Sequence, residues 1–324
     1  MAKSKKLLLA ACILAILFVA GLSAFALVKI FKITITTDLE WAIGIYSGPS
    51  PFHLIDDGSV SNPVLTREQV HDVVATLVAD PFVIRDGSKW YLFCEVLDST
   101  AGRGKIGVAV SDDGLKWRYE RIVLEEPFHL SYPYVFQHDG AYYMIPESGE
   151  ASSVRLYQAE DFPWKWRFAA NLLEGDFEDT SVILYNDLWW LFTCTSPTHD
   201  ELKLYFADSL FGPWISHPKN PIVRGDPSIA RPGGRLIIQP EGIIRYTQDD
   251  KRTYGKAVRA FRITRLSTTE YLEEPVLNRP IVKGHGTGWA RHGMHNVDPI
   301  QIRPDKWLAA VDGYKKHLLI HFEY

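Results

Sequence analysis

One pattern recurs along this chain: a short apolar strand, a turn holding Gly or Asp, an aromatic-rich strand, then a third alternating strand ending near Trp or Tyr. The first copy, ADPFVIRDGSKWYLFCE with IGVAVSDDGLKW, runs from Ala79 to Trp117. The second, SYPYVFQHDGAYYMIPE with VRLYQAEDFPWKW, runs from Ser131 to Trp166, and the third, DTSVILYNDLWWLFTC with LKLYFADSLFGPW, from Asp179 to Trp214. A more divergent fourth copy spans Ala230 to Tyr271, and a fifth, VDPIQIRPDKWLAAVDG with HLLIHFEY, begins at Val297. The marker positions Asp80, Tyr132, Thr180 and Pro232 are about fifty residues apart, the size of a propeller blade. Such strands cannot bury a face alone, but five sets arranged radially can, and the even period disfavours a β-sandwich. The expectation is an all-β, five-bladed β-propeller over residues 38–324, with blades near 79–117, 131–166, 179–214, 230–271 and 297–324. The last copy runs out after its third strand, so Trp41–Tyr46 (WAIGIY) is expected to close that blade and remove a free edge. The bridge 47–77, with TREQV as a short helical turn, is expected to lie over one mouth.

Ahead of the repeats, Leu7 to Val28 is a run of 22 residues without a charge, enough for a helix to cross a hydrocarbon core of about 30 Å. Lys3, Lys5 and Lys6 precede it and Lys29 and Lys32 follow. Residues 1–32 therefore read as a cytoplasmic stub and a single transmembrane anchor, with the propeller on the exported side, be that periplasmic, extracellular or lumenal. The rival is a signal peptide cleaved after Ala24-Phe25-Ala26, against which the apolar run is longer than the usual h-region.

Those five lysines also hide the character of the remainder. The whole chain has a net charge of −4, but from residue 33 onward 30 basic residues face 39 acidic ones, a balance of −9. Long-range repulsion makes so acidic a domain a poor partner for nucleic acid or an anionic membrane surface, and leaves neutral, cationic or metal-bridged ligands open. Cys12, Cys94 and Cys194 are too few for a disulfide framework, and the last two sit in apolar aromatic runs that suit buried thiols.

Propeller topology narrows the functional candidates. The start of a first strand and the end of a second lie at the same face, with first strands lining the axis. First-strand starts are Asp80, Tyr132, Asp179, Arg231 with Arg235, and Asp298; second-strand ends are Glu95, Glu147, Cys194, Asp249 and Asp312. Singly, such acids often serve turns; as a ring they suggest a polar axial pocket. Carboxylates flanking a sugar bond act as general acid and base. Asp80 is the expected base, with Asp179 and Glu147 as candidate acids needing a raised pKa. Glu95, His129, Tyr132, Arg231, Arg235, Asp249, His295 and Asp298 are the expected ligand-binding residues, the arginines through their match to carboxylate or phosphate; salt bridges to rim acids are the alternative. Tyr132, Tyr134 and Trp289 are candidates for stacking on a sugar ring. His292 and His295 make no strong zinc pattern, so no metal ligand or cofactor is assigned, and a structural calcium ion at the axis stays open.

The runs ADPFVI, GKIGVAVSDDGLKW, HLSYPYVF with YYMIPE, then GGR and YGKAVRAF resemble the N-terminal domain of plant glucosamine inositolphosphorylceramide transferases and its bacterial relatives. The resemblance spans roughly Trp41 to Tyr324, and it implies kinship with the five-bladed propellers of family-43 and family-32 glycoside hydrolases. The separate glycosyltransferase domain of the plant proteins is not matched, so transferase activity is not implied. Against the family-43 pattern, Asp80 in Ala-Asp-Pro matches the general base and His295-Asn296 resembles a fifth-blade histidine motif. The second-blade aspartate is replaced by Tyr132, and the third-blade region reads Glu178-Asp179-Thr180, so the usual acid triad is not intact. The expected function is a membrane-anchored, carbohydrate-active propeller of glycoside hydrolase or transglycosylase type, acting on a glycan or glycolipid head group. The alternative is a non-catalytic carbohydrate-binding or scaffold module.

Overall fold

The computed structural model describes residues 13–19, 32–195 and 198–323. It divides into two compact units. One is Glu40–Lys315; the other comprises Met1–Leu39 and Lys316–Tyr324, and its described part is a helical stretch at 13–19 with strand at 32–39 and 316–323. Among the described residues no helix is long and apolar enough to cross a membrane; residues 7–12 and 20–28 of the expected span lie outside them.

Five antiparallel sheets make up the larger unit. Blade 1 holds Ala75–Asp86, Lys89–Asp98, Arg103–Ser111 and Arg118–Leu124 in order from the axis outward; blade 2 holds Ser131–His138, Ala141–Glu147, Ser153–Asp161 and Lys165–Glu174. Blade 3 holds Phe177–Tyr185, Leu188–Thr195, Glu201–Ala207 and Ile215–Ser216, and blade 4 holds Ile237–Gln239, Gly242–Gln248, Ala257–Leu266 and Tyr271–Pro275. Blade 5 joins the two ends of this unit: Val297–Arg303, the strand Lys306–Glu323 as far as residue 315, the strand Lys32–Ser50 from residue 40, and His53–Ile55. Two-residue turns set the inner hairpins. Asp139-Gly140 and Asn186-Asp187 each put both central residues at positive φ, whose twist matches the flanking strands.

Closure by Trp41–Tyr46 holds, but the count of C-terminal strands differs from expectation. Asp312-Gly313 reads as a turn, yet the chain passes straight through it as part of one strand, Lys306–Glu323. Glycine is needed there for close packing, because a Cβ on Gly313 would lie 2.5 Å from that of Ala290. The bridge after blade 5 also departs from expectation. Ile43 N–H donates to Leu65 O, Val64 N–H to Ile43 O, and Asp72 accepts from the Tyr119 hydroxyl and Ile122 N–H. Leu65 and Val70 are buried with Val78, Leu92 and Leu308, so this segment packs the seam between blades 5 and 1 rather than covering a mouth. The 3-10 turn Arg67–Gln69 lies within it.

Every seam is filled by apolar side chains. Trp166 meets Phe93 edge-on at 5.6 Å between blades 1 and 2, a geometry worth about 0.5–1.5 kcal/mol beyond area burial. Cys94 and Cys194 are free, buried thiols.

Candidate active site

The first strands of blades 1, 2 and 3 share a bulge. Their pairing slips between Ala79 and Phe82, between Ser131 and Tyr134, and between Glu178 and Ser181. Within each slip one non-glycine residue sits at positive φ: Asp80 at 52°, Tyr132 at 43° and Asp179 at 46°. Such a conformation costs on the order of 1–3 kcal/mol per residue and persists only where surrounding contacts fix it. Here they do. Asp80 N–H donates to Asp312 Oδ2 of blade 5 at 3.0 Å, and Tyr132 N–H donates to Asp80 Oδ2 at 3.2 Å. Asp179 Oδ2 accepts from Arg231 Nε at 2.6 Å and from the Gln248 amide, both brought by blade 4.

Around Asp80, His295 is the central partner. Its Nδ1 lies 2.7 Å from Asp312 Oδ2 and its Nε2 lies 3.7 Å from Asp80 Oδ1. Trp41 stacks on the imidazole at 4.1 Å and Tyr254 meets it edge-on at 5.4 Å. Burial alone would make the imidazole neutral, but Asp312 and Asp80 outweigh it and hold its pKa up at about 9. Burial also pushes the Asp80 carboxyl up to about 7, opposed by His295 and reinforced by Asp179 and Asp312.

Two further acids stand on the rim, Glu147 on the neighbouring blade 2 and Glu95 on blade 1 itself, paired with Ala79. Glu147 accepts from Gly149 N–H at 2.7 Å and from the Ser131 hydroxyl at 3.1 Å. Burial raises it to about 7, with Asp179 adding to the shift despite those bonds. Glu95 is raised well above the ordinary carboxyl range by burial and then by Asp80. His129 Nδ1 accepts from Gly104 N–H at 2.9 Å, so the neutral ring carries its proton on Nε2, which points at Glu95 Oε1 at 3.3 Å. Burial lowers the His129 pKa, consistent with that neutral tautomer.

On the far side, charges neutralise one another. Arg231 Nη1 lies 3.1 Å from Glu178 Oε2, and His199 lies between Glu178 at 3.0 Å and Asp250 at 3.4 Å. Hydrogen bonds to Asp250 and Glu178 raise His199 to about 9. Burial raises Asp179, opposed by Arg231. Asp179 Oδ2 is engaged twice, and its Oδ1 is buried. Asp179 Oδ1, Gln248 Oε1 and Asn296 Oδ1 are buried acceptors without a protein donor among the described residues, ready for hydroxyl or water donors.

Several expected ligand residues are engaged elsewhere. Tyr132 is fully buried: its hydroxyl bonds Ser181 Oγ at 2.9 Å and accepts from Gly234 N–H at 2.7 Å, so it is an internal strut. Tyr134 likewise donates to Val182 O. Arg235 and Asp298 bind each other at 2.7 Å, and Arg235 also donates to Val135 O and Val83 O, while Asp298 accepts from Val83 N–H. They clamp blades 1, 2, 4 and 5 together. Asp249 is held by Arg259 at 2.9 Å, and the neighbouring Gln248 and Asp250 reach the site instead. His199, Gln248, Asp250 and Trp41 are the site residues missing from the expected set; Glu178, an alternative place for the acid beside Asp179, does reach the site through Arg231 and His199.

Asp80, His295 and Asp312 place donor atoms within 4.8 Å of one another. They fit a calcium ion poorly. Calcium takes six to eight oxygen ligands, whereas here one group is an imidazole and Asp312 already receives Asp80, His295 and Asn296 backbone N–H groups.

Residues 36–314 match the family described as glucosamine inositolphosphorylceramide transferase 1, N-terminal. The chain belongs to this family. Glucosamine inositolphosphorylceramide transferase 1 of Oryza sativa subsp. japonica is 37% identical over 296 residues, covering 85% of this chain and 40% of that protein. The Arabidopsis thaliana protein of the same name is 33% identical over 297 residues, covering 85% of this chain and 39% of its own length. The chain thus spans about 40% of these relatives. Among solved structures, a putative glycoside hydrolase from Bacteroides ovatus superposes with a TM-score of 0.61 at 12% identity, over 82% of this chain and 95% of that one. A family-43 β-xylosidase/α-arabinofuranosidase from a compost metagenome gives 0.53 at 16% identity, over 64% and 76%. These two establish a shared fold. In this family member the Tyr132 position supplies a strut rather than a carboxylate.

Proposed function

We propose that this propeller acts on a glycan or glycolipid head group at its axial rim, by acid–base chemistry of glycoside hydrolase or transglycosylase type. The carrying observation is the pair Asp80 and Glu147, rim carboxyls of neighbouring blades, the first held at a bulge by Tyr132 N–H and the second by Ser131 and Gly149, which burial pushes up to about 7. Near neutral pH one can hold its proton while the other has lost it, the state such chemistry requires. Asp80 is the base, oriented by Tyr132 N–H and faced by His295; Glu147, with Glu95 beside it, is the acid. The names of the relatives and of the solved structures support a sugar-bearing ligand. We further propose that Leu7–Val28 is an uncleaved anchor with a cytoplasmic N-terminus and the propeller on the exported side, supported by the flanking lysines.

A second reading is favoured by one observation. Tyr132 occupies the place of a catalytic aspartate in the family-43 pattern and is buried; a recognition module that binds sugar without cleaving it would retain the rim and lose that acid. Both readings are tested by following binding and product release together by NMR, with the full chain and a panel of oligosaccharides and glycolipid head groups. Asp80→Asn should bind while turnover falls by about 10²–10⁴-fold. Unchanged turnover would remove Asp80 as the base, and binding without turnover in the unsubstituted chain would make it a recognition module.

A further inference from the structure

The three aromatic residues expected to stack on a sugar ring are engaged in the fold. Tyr132 and Tyr134 are buried struts. Trp289 packs into blade 5, where a Cβ on Gly44 would lie 2.6 Å from its ring and one on Gly313 3.0 Å. The exposed aromatics Trp164, Phe168 and Phe211 lie in outermost strands or in turns leading to them. Tyr254 is exposed beside the acids. It follows the second strand of blade 4, is 43% accessible, and meets His295 edge-on at 5.4 Å and Trp41 at 6.3 Å. The Arg231 guanidinium lies over the ring at 5.5 Å. Since His295 reaches Asp80 and Arg231 holds Asp179, the ring is one side chain removed from each acid.

Backbone contacts hold this position. Tyr254 O accepts from the Tyr314 hydroxyl at 3.2 Å, Gly255 N–H donates to Asp250 Oδ1 at 2.8 Å, and Asp250 N–H donates to Pro227 O at 3.0 Å. Gly255 takes a φ of 63°, and a Cβ there would lie 2.7 Å from the Trp41 ring, so glycine lets the chain lie down on Trp41. The Tyr254 hydroxyl makes no hydrogen bond to protein among the described residues, whereas those of Tyr132 and Tyr134 are spent on the fold. An aromatic ring fixed in advance loses little freedom when a ligand docks on it.

We propose that Tyr254 is the stacking platform of the rim, and that the ligand it receives is a pyranose presenting a face of C–H bonds. Those polarised hydrogens are attracted to the electron-rich face of an aromatic ring, and the accessible part of Tyr254 is where they meet it. The proposal rests on the reading of the rim as a sugar site and adds the contact residue and the ring form.

The test uses the full chain, deuterated everywhere except at tyrosine, with methyl β-glucopyranoside, methyl β-galactopyranoside and the oligosaccharide panel as probes. Saturating the tyrosine ring protons should attenuate the C–H signals of the bound sugar. In Tyr254→Phe, with phenylalanine deuterated, that transfer should vanish while the dissociation constant changes by less than about threefold; Tyr254→Leu should weaken binding roughly tenfold. Tyr254→Phe keeps the ring and its packing, so the result does not depend on how well Tyr254→Leu folds. Transfer that survives Tyr254→Phe, or a sugar that binds without any transfer, overturns the role of Tyr254 and leaves the rim reading standing. If no sugar binds the unsubstituted chain, the rim reading falls and this inference with it.

Discussion

Replacing His295 by glutamine should destabilise the propeller in a way that depends on pH. In the fold the imidazole is held at about 9 by Asp312 and Asp80 against the effect of burial; in the unfolded chain it returns to about 6.5. A group whose pKa is raised on folding contributes stability that is complete below the unfolded value and disappears as pH climbs through the folded one. The gap is worth about 3 kcal/mol. Urea denaturation of the unsubstituted chain and His295→Gln should therefore differ by about 3 kcal/mol at pH 6, and by progressively less between roughly pH 6.5 and 9. A remainder that does not vary with pH, from the lost stacking on Trp41 at 4.1 Å, should persist. A difference that is flat across this range, or that grows as pH rises, would refute the argument that His295 is the buried cation of the site.

Other outcomes follow from the same geometry. Arg235→Met strands the buried Asp298 carboxylate without its cation and should cost about 3–5 kcal/mol, part of it recovered in the double variant with Asp298→Asn, read by the same denaturation assay. Tyr132→Phe removes the acceptor of Gly234 N–H and should cost about 1–3 kcal/mol without altering the sugar-binding constant. Turnover, if hydrolytic, should follow a narrow bell against pH centred near 7, rising as Asp80 loses its proton and falling as Glu147 loses its own. Glu147→Gln should remove the alkaline limb, and a profile still falling on that side would assign the acid to Glu95.

The period of the chain exposed the propeller because each hairpin writes its own turn chemistry, as at Asp139-Gly140 and Asn186-Asp187. The same logic misled at Asp312-Gly313. There glycine answers to the approach of Ala290 and the strand runs on. Which face a rim residue adopts was legible only to within one position. Gln248, Asp249 and Asp250 are consecutive, and the alternation of a strand end sends the middle one to Arg259 while its neighbours reach Asp179 and His199. His199 sits in a connecting segment with no periodicity to announce it. Arg235 and Asp298 were visible as charges, but 63 residues separate them in sequence, and only the closed ring reveals that they satisfy each other.

The central claim is that ligand binds at the axial rim. It is most directly tested by a crystal structure of the protein soaked with the best-binding sugar of the panel. The account predicts the sugar among Asp80, Glu147, Glu95 and Arg231. A cavity of about 700 Å³ lies elsewhere, between blades 4 and 5, lined by Tyr46, Leu54, Arg279, Lys283 and His285. Sugar in that cavity, with the rim unchanged, would contradict it.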